Sequence, residues 1–173
     1  MKLDISLYVL VDPAVARGKP LAALAAAAAR GGATLVQLRD KGGTTQRLIE
    51  EAIAIKRALR GFGVPLIVND RADVALAAGA DGIHLGRDDL DPATARRLLG
   101  PRAIIGASVK NEADVGAVID VELHQQIVIA GGRVDFGGDL GVGEAAGDLV
   151  GLAELALDLN EERGHRAPLH RAD

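Results

Sequence analysis

A short apolar run, a polar turn and a stretch of helical spacing follow one another five times between Ser6 and Asp114. Ser6 to Val11, Thr34 to Arg39, Val64 to Val68, Ala80 to Leu85 and Ala103 to Ile105 read as strands, each closed by polar or glycine residues. Between and after them, Leu21 to Arg30, Thr44 to Arg60, Ala72 to Ala78, the segment from Asp91-Pro92 to Leu99 and a short segment capped by Asn111 read as helices. In the second of these, Leu48, Ile49, Ala52, Ile55 and Leu59 recur at the spacing of one helical face. Such alternation predicts a parallel sheet covered by helices. Right-handed crossovers then leave an open doubly wound sheet or a closed eightfold barrel. No GxGxxG follows the first strand, which disfavours a dinucleotide-binding open sheet. Polar groups gather instead after strands two to five, and in a barrel all those ends open on one face. The expected fold is α/β, a (β/α)8 TIM-barrel type with five to six units legible and the C-terminal part incomplete. A full barrel takes about 200 residues or more, and this chain has 173.

Composition narrows the function classes. Tyr8, Phe62 and Phe136 are the only aromatic residues, so the core is aliphatic and base-stacking platforms are not expected. With a net charge of -4, no broad basic surface recruits nucleic acid or a membrane. The absence of cysteine excludes disulfides, thiolate metal sites and a cysteine nucleophile. The longest apolar run, Leu21 to Ala29, is too short to span a bilayer, and the first residues lack a signal-peptide core. The expected location is cytoplasmic. Any anionic ligand must be held by a few local cations or by a metal.

Those cations stand at the end of the second strand, in Leu35-Val36-Gln37-Leu38-Arg39-Asp40-Lys41. Period-two alternation turns Gln37, Arg39 and Lys41 to one side and Val36, Leu38 and Asp40 to the other. An amide, a guanidinium fork and an ammonium in a row suit a phosphate or a pyrophosphate; a solvated polar face is the plainer reading. Asp70 closes strand three and Asp89 follows strand four, so in a barrel both reach one mouth. Two carboxylates with water and phosphate oxygens fit magnesium, which seldom has an all-protein cage; helix capping is the competing role, which Asp91 fills better. Asn69 offers an amide donor and Ser108 a hydroxyl, with turn-forming and helix capping as their ordinary alternatives. His84, inside a strand end, reads as a satisfied structural histidine. His124, His165 and His170 have no evident partner for a triad or metal site. Together these groups describe a magnesium–pyrophosphate pocket, in which a metal and cations stabilise charge on a leaving diphosphate and no nucleophilic residue is required.

Four segments resemble thiamine-phosphate synthase: Val36-Gln37-Leu38-Arg39-Asp40-Lys41, Val68-Asn69-Asp70-Arg71-Ala72-Asp73-Val74-Ala75, Ala80 through Leu90, and Ile105-Gly106-Ala107-Ser108. They stand in the family's order within Leu7 to Asp114. The resemblance implies a (β/α)8 barrel that joins hydroxymethylpyrimidine diphosphate to a thiazole phosphate, giving thiamine phosphate and pyrophosphate with magnesium. It implies Gln37, Arg39, Lys41, Asn69 and Ser108 on the pyrimidine diphosphate, Arg39 and Lys41 as the catalytic cations, and Asp70 and Asp89 on magnesium. It also implies a dissociative path, in which a pyrimidine cation forms before the thiazole nitrogen attacks. Arg87 stands where the family often has glutamine.

Residues 1–116 are expected to carry the barrel units with these segments, and 117–173 a divergent stretch. There Ile127 to Ala130 reads as a sixth strand, 131–143 as a glycine-rich loop, 144–163 as an amphipathic helix and 164–173 as a tail. Past strand six the family carries a threonine–lysine loop and later a glycine-rich phosphate grip; from Asp120 onward this chain has no lysine. Two other readings therefore accompany the synthase: a relative that binds a diphosphate without turnover, and a thiazole tautomerase-like protein. An unclosed parallel sheet is also expected to be poorly soluble, or to associate as a homo-oligomer so as to cover its gap.

Overall fold

The computed structural model describes residues 3–109 and the backbone of Gln126–Ala130. Six parallel strands stand in sequence order, β1 (Tyr8–Val11), β2 (Leu35–Leu38), β3 (Leu66–Asn69), β4 (Gly82–Leu85), β5 (Ile104–Val109) and β6 (Gln126–Ala130). Helices α1 (Leu21–Arg30), α2 (Thr45–Ala58), α3 (Ala72–Ala78) and α4 (Pro92–Leu99) connect the first five. Every strand pairs with the next in chain order, the topology of a barrel wall. The sequence expectations past Ala130, a glycine-rich loop and an amphipathic helix, lie outside the described residues, as does a short helix expected after Asn111.

The helices start where side chains supply their first hydrogen bonds. Thr44 Oγ1 accepts from the Arg47 amide, and Asp91 Oδ1 from the Thr94 amide at 2.9 Å with Pro92 opening α4. Lys56 and Arg57 close α2 at its negative end. Alanines let α1 and α2 approach closely: Leu21, Ala25 and Ala29 are buried on one, Leu48, Ala52 and Ile55 on the other.

Alternation along the strands divides the core in two. Val36, Leu38, Leu66 and Val68 turn outward to pack under α1 and α2, while Ile83, Leu85 and Ile105 pack with Ala95 of α4. Leu35, Ile67 and Ile104 turn inward and close the lower part of the interior, with Tyr8 and Leu3 against them. Gly82 has no side chain because the Ile104 backbone passes through the place a Cβ would take. Asp81, at the foot of β4, accepts from Lys56 Nζ and, at 2.8 Å, from the Leu66 amide, which ties α2 to the bottom of β3. Above the apolar layer, the inward positions become polar.

Candidate active site at the C-terminal ends of the strands

The polar layer is assembled one residue per strand. Gln37 of β2 is 2% exposed. Its Oε1 accepts from the Tyr8 hydroxyl, and its Nε2 donates to Asn69 Oδ1 at 2.8 Å. Burial pushes the Tyr8 hydroxyl well above its usual range, so it stays protonated and donates. With both amide orientations fixed in this file, the Asn69 amide nitrogen keeps its hydrogens for a ligand. Asn69 is the register partner of His84 on β4, and His84 Nε2 lies 2.9 Å from Ser108 Oγ on β5.

Ser108 lies within β5, which runs on to Val109. The sequence pattern places the end of that strand at Ile105, with Ser108 free to cap a helix; the parallel pairing of Ser108 with Ile129 of β6 keeps it extended. His84 also differs from expectation. It is buried as expected, but among the described residues only one of its ring nitrogens has a partner, since Nδ1 is buried without a hydrogen bond.

The charged groups rise above this layer on the loops. Asp70 takes the left-handed conformation, φ 62°, which aspartate tolerates better than most side chains. Its amide donates to the His84 carbonyl at 2.8 Å, fixing the turn after β3. Asp89 lies in the loop after β4, where its Oδ2 accepts from the Gly86 amide at 2.7 Å. The Asp70 and Asp89 carboxyl groups are close neighbours. Burial and that contact push the Asp70 carboxyl up to about 6, against the opposing pull of Lys41 and Arg39. The four groups therefore share one electrostatic neighbourhood.

Arg39 is held by Asp12, at the end of β1, through an ion pair at 2.5 Å. Lys41 arrives differently from expectation. The strand stops at Leu38, and the Asp40 carboxylate accepts from the Gly42 and Gly43 amides, both at 2.9 Å, in a tight turn. Lys41 thus reaches the mouth from an exposed loop rather than in line along a strand. Arg71, next to the acidic position, turns away to Asp73 and Thr45. Tyr8, Asp12 and His84 are the contributors that sequence reasoning missed. Asp12 had a signal, since it closes β1 as polar residues close the later strands.

The donor set suits a hard divalent cation. Asp70 and Asp89 supply oxygen only, and a carboxyl whose ionisation is opposed by burial and a neighbouring carboxyl is a place where a cation relieves repulsion. Among the described residues no group of three His, Cys, Asp or Glu side chains could hold a metal ion. A cation held by these two carboxylates would take its further oxygen ligands from outside the described residues. A separate cavity of about 850 Å³ lies at the other end of the strands, lined by Thr34, Pro65, Asp81 and Ile104 among others. None of the residues of the mouth lines it, and the convergence of charge, not cavity volume, marks the site. Among the described residues no helix is long and apolar enough to cross a membrane.

A parallel (β/α) sheet of TIM-barrel type, with its cations, carboxylates and polar layer gathered at the C-terminal strand ends, defines the class: a barrel-type protein with a charged mouth at those ends. The comparisons give the family. The thiamine monophosphate synthase family model matches residues 7–132, and the chain belongs to that family. A thiamine-phosphate synthase of Agrobacterium fabrum is 59% identical over 113 residues, which cover 65% of this chain and 51% of that protein. One from Xanthobacter autotrophicus is 44% identical over 142 residues, covering 80% of this chain and 67% of the relative. The thiamine phosphate pyrophosphorylase of Pyrococcus furiosus superposes with a TM-score of 0.63 at 31% identity, covering 73% of this chain and 60% of the other. A citrate synthase at 15% identity and a TM-score of 0.56 shares the fold alone. The chain spans about half the length of several of the curated relatives it matches.

Proposed function

We propose that the mouth binds the diphosphate of hydroxymethylpyrimidine diphosphate and promotes its departure, so that a thiazole phosphate is alkylated to thiamine phosphate. The observation that carries this reading is the meeting of Asp70, Asp89, Arg39 and Lys41, from the ends of β2, β3 and β4, in one electrostatic neighbourhood. The similarity to named synthases gives it a substrate.

In this reading Arg39 and Lys41 lie against the diphosphate oxygens and stabilise the charge that grows as the carbon–oxygen bond breaks. Arg39 and Lys41 are thus the catalytic groups. Asn69, oriented through Tyr8 and Gln37, donates its amide hydrogens to the same ligand, and Ser108 donates its hydroxyl. Asp70 and Asp89 would hold magnesium, which would supply Lewis-acid stabilisation of the leaving diphosphate. Gln37, buried and bonded at both ends, acts here chiefly by fixing Asn69.

Purified protein given both substrates and magnesium should release pyrophosphate and form thiamine phosphate. Silence at high protein concentration, with magnesium-dependent diphosphate binding intact, would leave the non-catalytic binding reading. Absence of magnesium-dependent binding would remove both.

A further inference from the structure

His84 and Ser108 face one another from β4 and β5, with Nε2 2.9 Å from Oγ. The histidine is 7% exposed, and its Nδ1 is buried with no hydrogen-bond partner among the described residues. Gly106, the register partner of His84, makes room for the ring: a Cβ there would stand 2.6 Å from Nδ1. One ring nitrogen is therefore committed to a hydroxyl, and the other is sealed against a neighbouring strand.

A neutral imidazole carries one N–H and one lone pair, and the hydrogen bond made by one nitrogen selects the tautomer. Placing the hydrogen on Nδ1 would bury a donor with nothing to accept it, an arrangement that folded proteins rarely keep. Placing it on Nε2 leaves only a bare lone pair over Gly106 and puts a donor in front of Ser108 Oγ. The hydroxyl then accepts from the ring, and its own hydrogen has to find a partner elsewhere. Burial of the ring favours the neutral form that this exchange requires, with Asp89 pulling weakly the other way.

We infer that His84 is a positioning residue, whose Nε2–H donates to Ser108 Oγ and so turns the Ser108 hydroxyl hydrogen toward an anionic oxygen in the mouth. Gly106 belongs to the same device, because its missing side chain sets where the ring lies. The hydroxyl's ligand rests on the diphosphate reading given above; the tautomer does not.

The tautomer is read first, in the full chain labelled with 15N-histidine, by long-range proton–nitrogen correlation near neutral pH. His84→Gln identifies the signal by its loss. A neutral ring protonated on Nε2 is expected, and a ring protonated on Nδ1 or on both nitrogens overturns the inference. Binding is read second, with inorganic pyrophosphate and magnesium. His84→Leu and Ser108→Ala should each weaken it by about five- to tenfold, the effect of one hydrogen bond. The double variant should bind no more weakly than Ser108→Ala alone, and His84→Gln, which keeps a side-chain N–H, should recover part of the loss. Losses that multiply in the double variant would overturn the coupling. Failure of the unaltered chain to bind pyrophosphate would instead strike the diphosphate reading and leave the tautomer to be judged by its own spectrum.

Discussion

The Asp70 carboxyl, on the loop after β3, stands beside that of Asp89 on the loop after β4, and burial together with this neighbour pushes it up to about 6. A carboxyl that ionises at 3.8 in an unfolded chain and at about 6 in the folded one binds more protons when folded. Between those values stability falls as pH rises, and above them the loss is complete. Asp70→Asn removes the repelling charge and suits the left-handed backbone at this position. Without divalent cations the variant should melt at a higher temperature than the parent protein above about pH 7, and the difference should vanish below about pH 4. Magnesium should raise the melting temperature of the parent but not that of the variant. Melts recorded at both pH values, with and without the cation, check both statements.

The Arg39–Asp12 pair joins the ends of β1 and β2. The Arg39 side chain is 38% exposed and that of Asp12 only 12%, so removing the arginine strands the less exposed partner. Arg39→Ala should weaken pyrophosphate binding by about 10- to 100-fold, the loss of a charge-assisted hydrogen bond. It should also reduce stability by about 1 kcal/mol, a modest figure because the pair is part exposed. Adding Asp12→Asn removes the stranded charge while keeping an oxygen for the Ala14 amide that Asp12 Oδ1 now serves. The double variant should regain stability in urea titration but none of the lost affinity. Recovery of both would mean that Arg39 serves the fold alone.

Much of this architecture is legible in the sequence because it rests on local chemistry. Asp91-Pro92 and Gly79 mark helix ends through a cap, a fixed φ and a left-handed turn, and α3 runs from Ala72 to Ala78 as its pattern predicts. The strand interiors are plain from β-branched residues. Their ends are not. β2 stops at Leu38 because the Asp40 carboxylate folds the chain back on Gly42 and Gly43, whereas β5 runs on to Val109 because β6 pairs with it. Neither cause is a property of the residue at the boundary. The site was readable for the same reason that its loops are short: Asp70 and Asp89 directly follow strands whose neighbours are fixed. Tyr8 and His84 were not, since their roles arise from which residue stands opposite on the next strand. The segment Ala80 to Leu90 divides in function accordingly, with Asp81 and Gly82 binding the foot of the sheet and His84 and Asp89 serving the mouth.

Gly82 shows how strict the foot of the sheet is. A Cβ there would collide with the Ile104 carbonyl, which is backbone and cannot turn aside. Gly82→Ala should force β4 and β5 apart and reduce stability by about 1–3 kcal/mol. The larger end of that range applies if the strain reaches the Asp81 contacts beside it. Chemical denaturation of the variant checks this, and a value within experimental error of zero would show that the strands part freely.

Tyr8 sets the direction of the amide file beneath the mouth. Its hydroxyl is the donor that tells the two ends of the Gln37 amide apart, and Gln37 in turn does the same for Asn69. Without that hydroxyl both amides can turn over, and Asn69 then presents an oxygen lone pair where an anion needs a hydrogen. Tyr8→Phe keeps the ring that packs with Leu35, Ile67 and Ile104, so the apolar layer stays filled. Stability should fall by only about 1 kcal/mol, while pyrophosphate binding weakens by about two- to tenfold. Adding Asn69→Ala to Tyr8→Phe should weaken binding no further than Asn69→Ala alone, because the tyrosine acts through that amide. A further loss in the double variant would mean that Tyr8 meets the ligand itself, and the file would then be a binding surface rather than a relay of orientation.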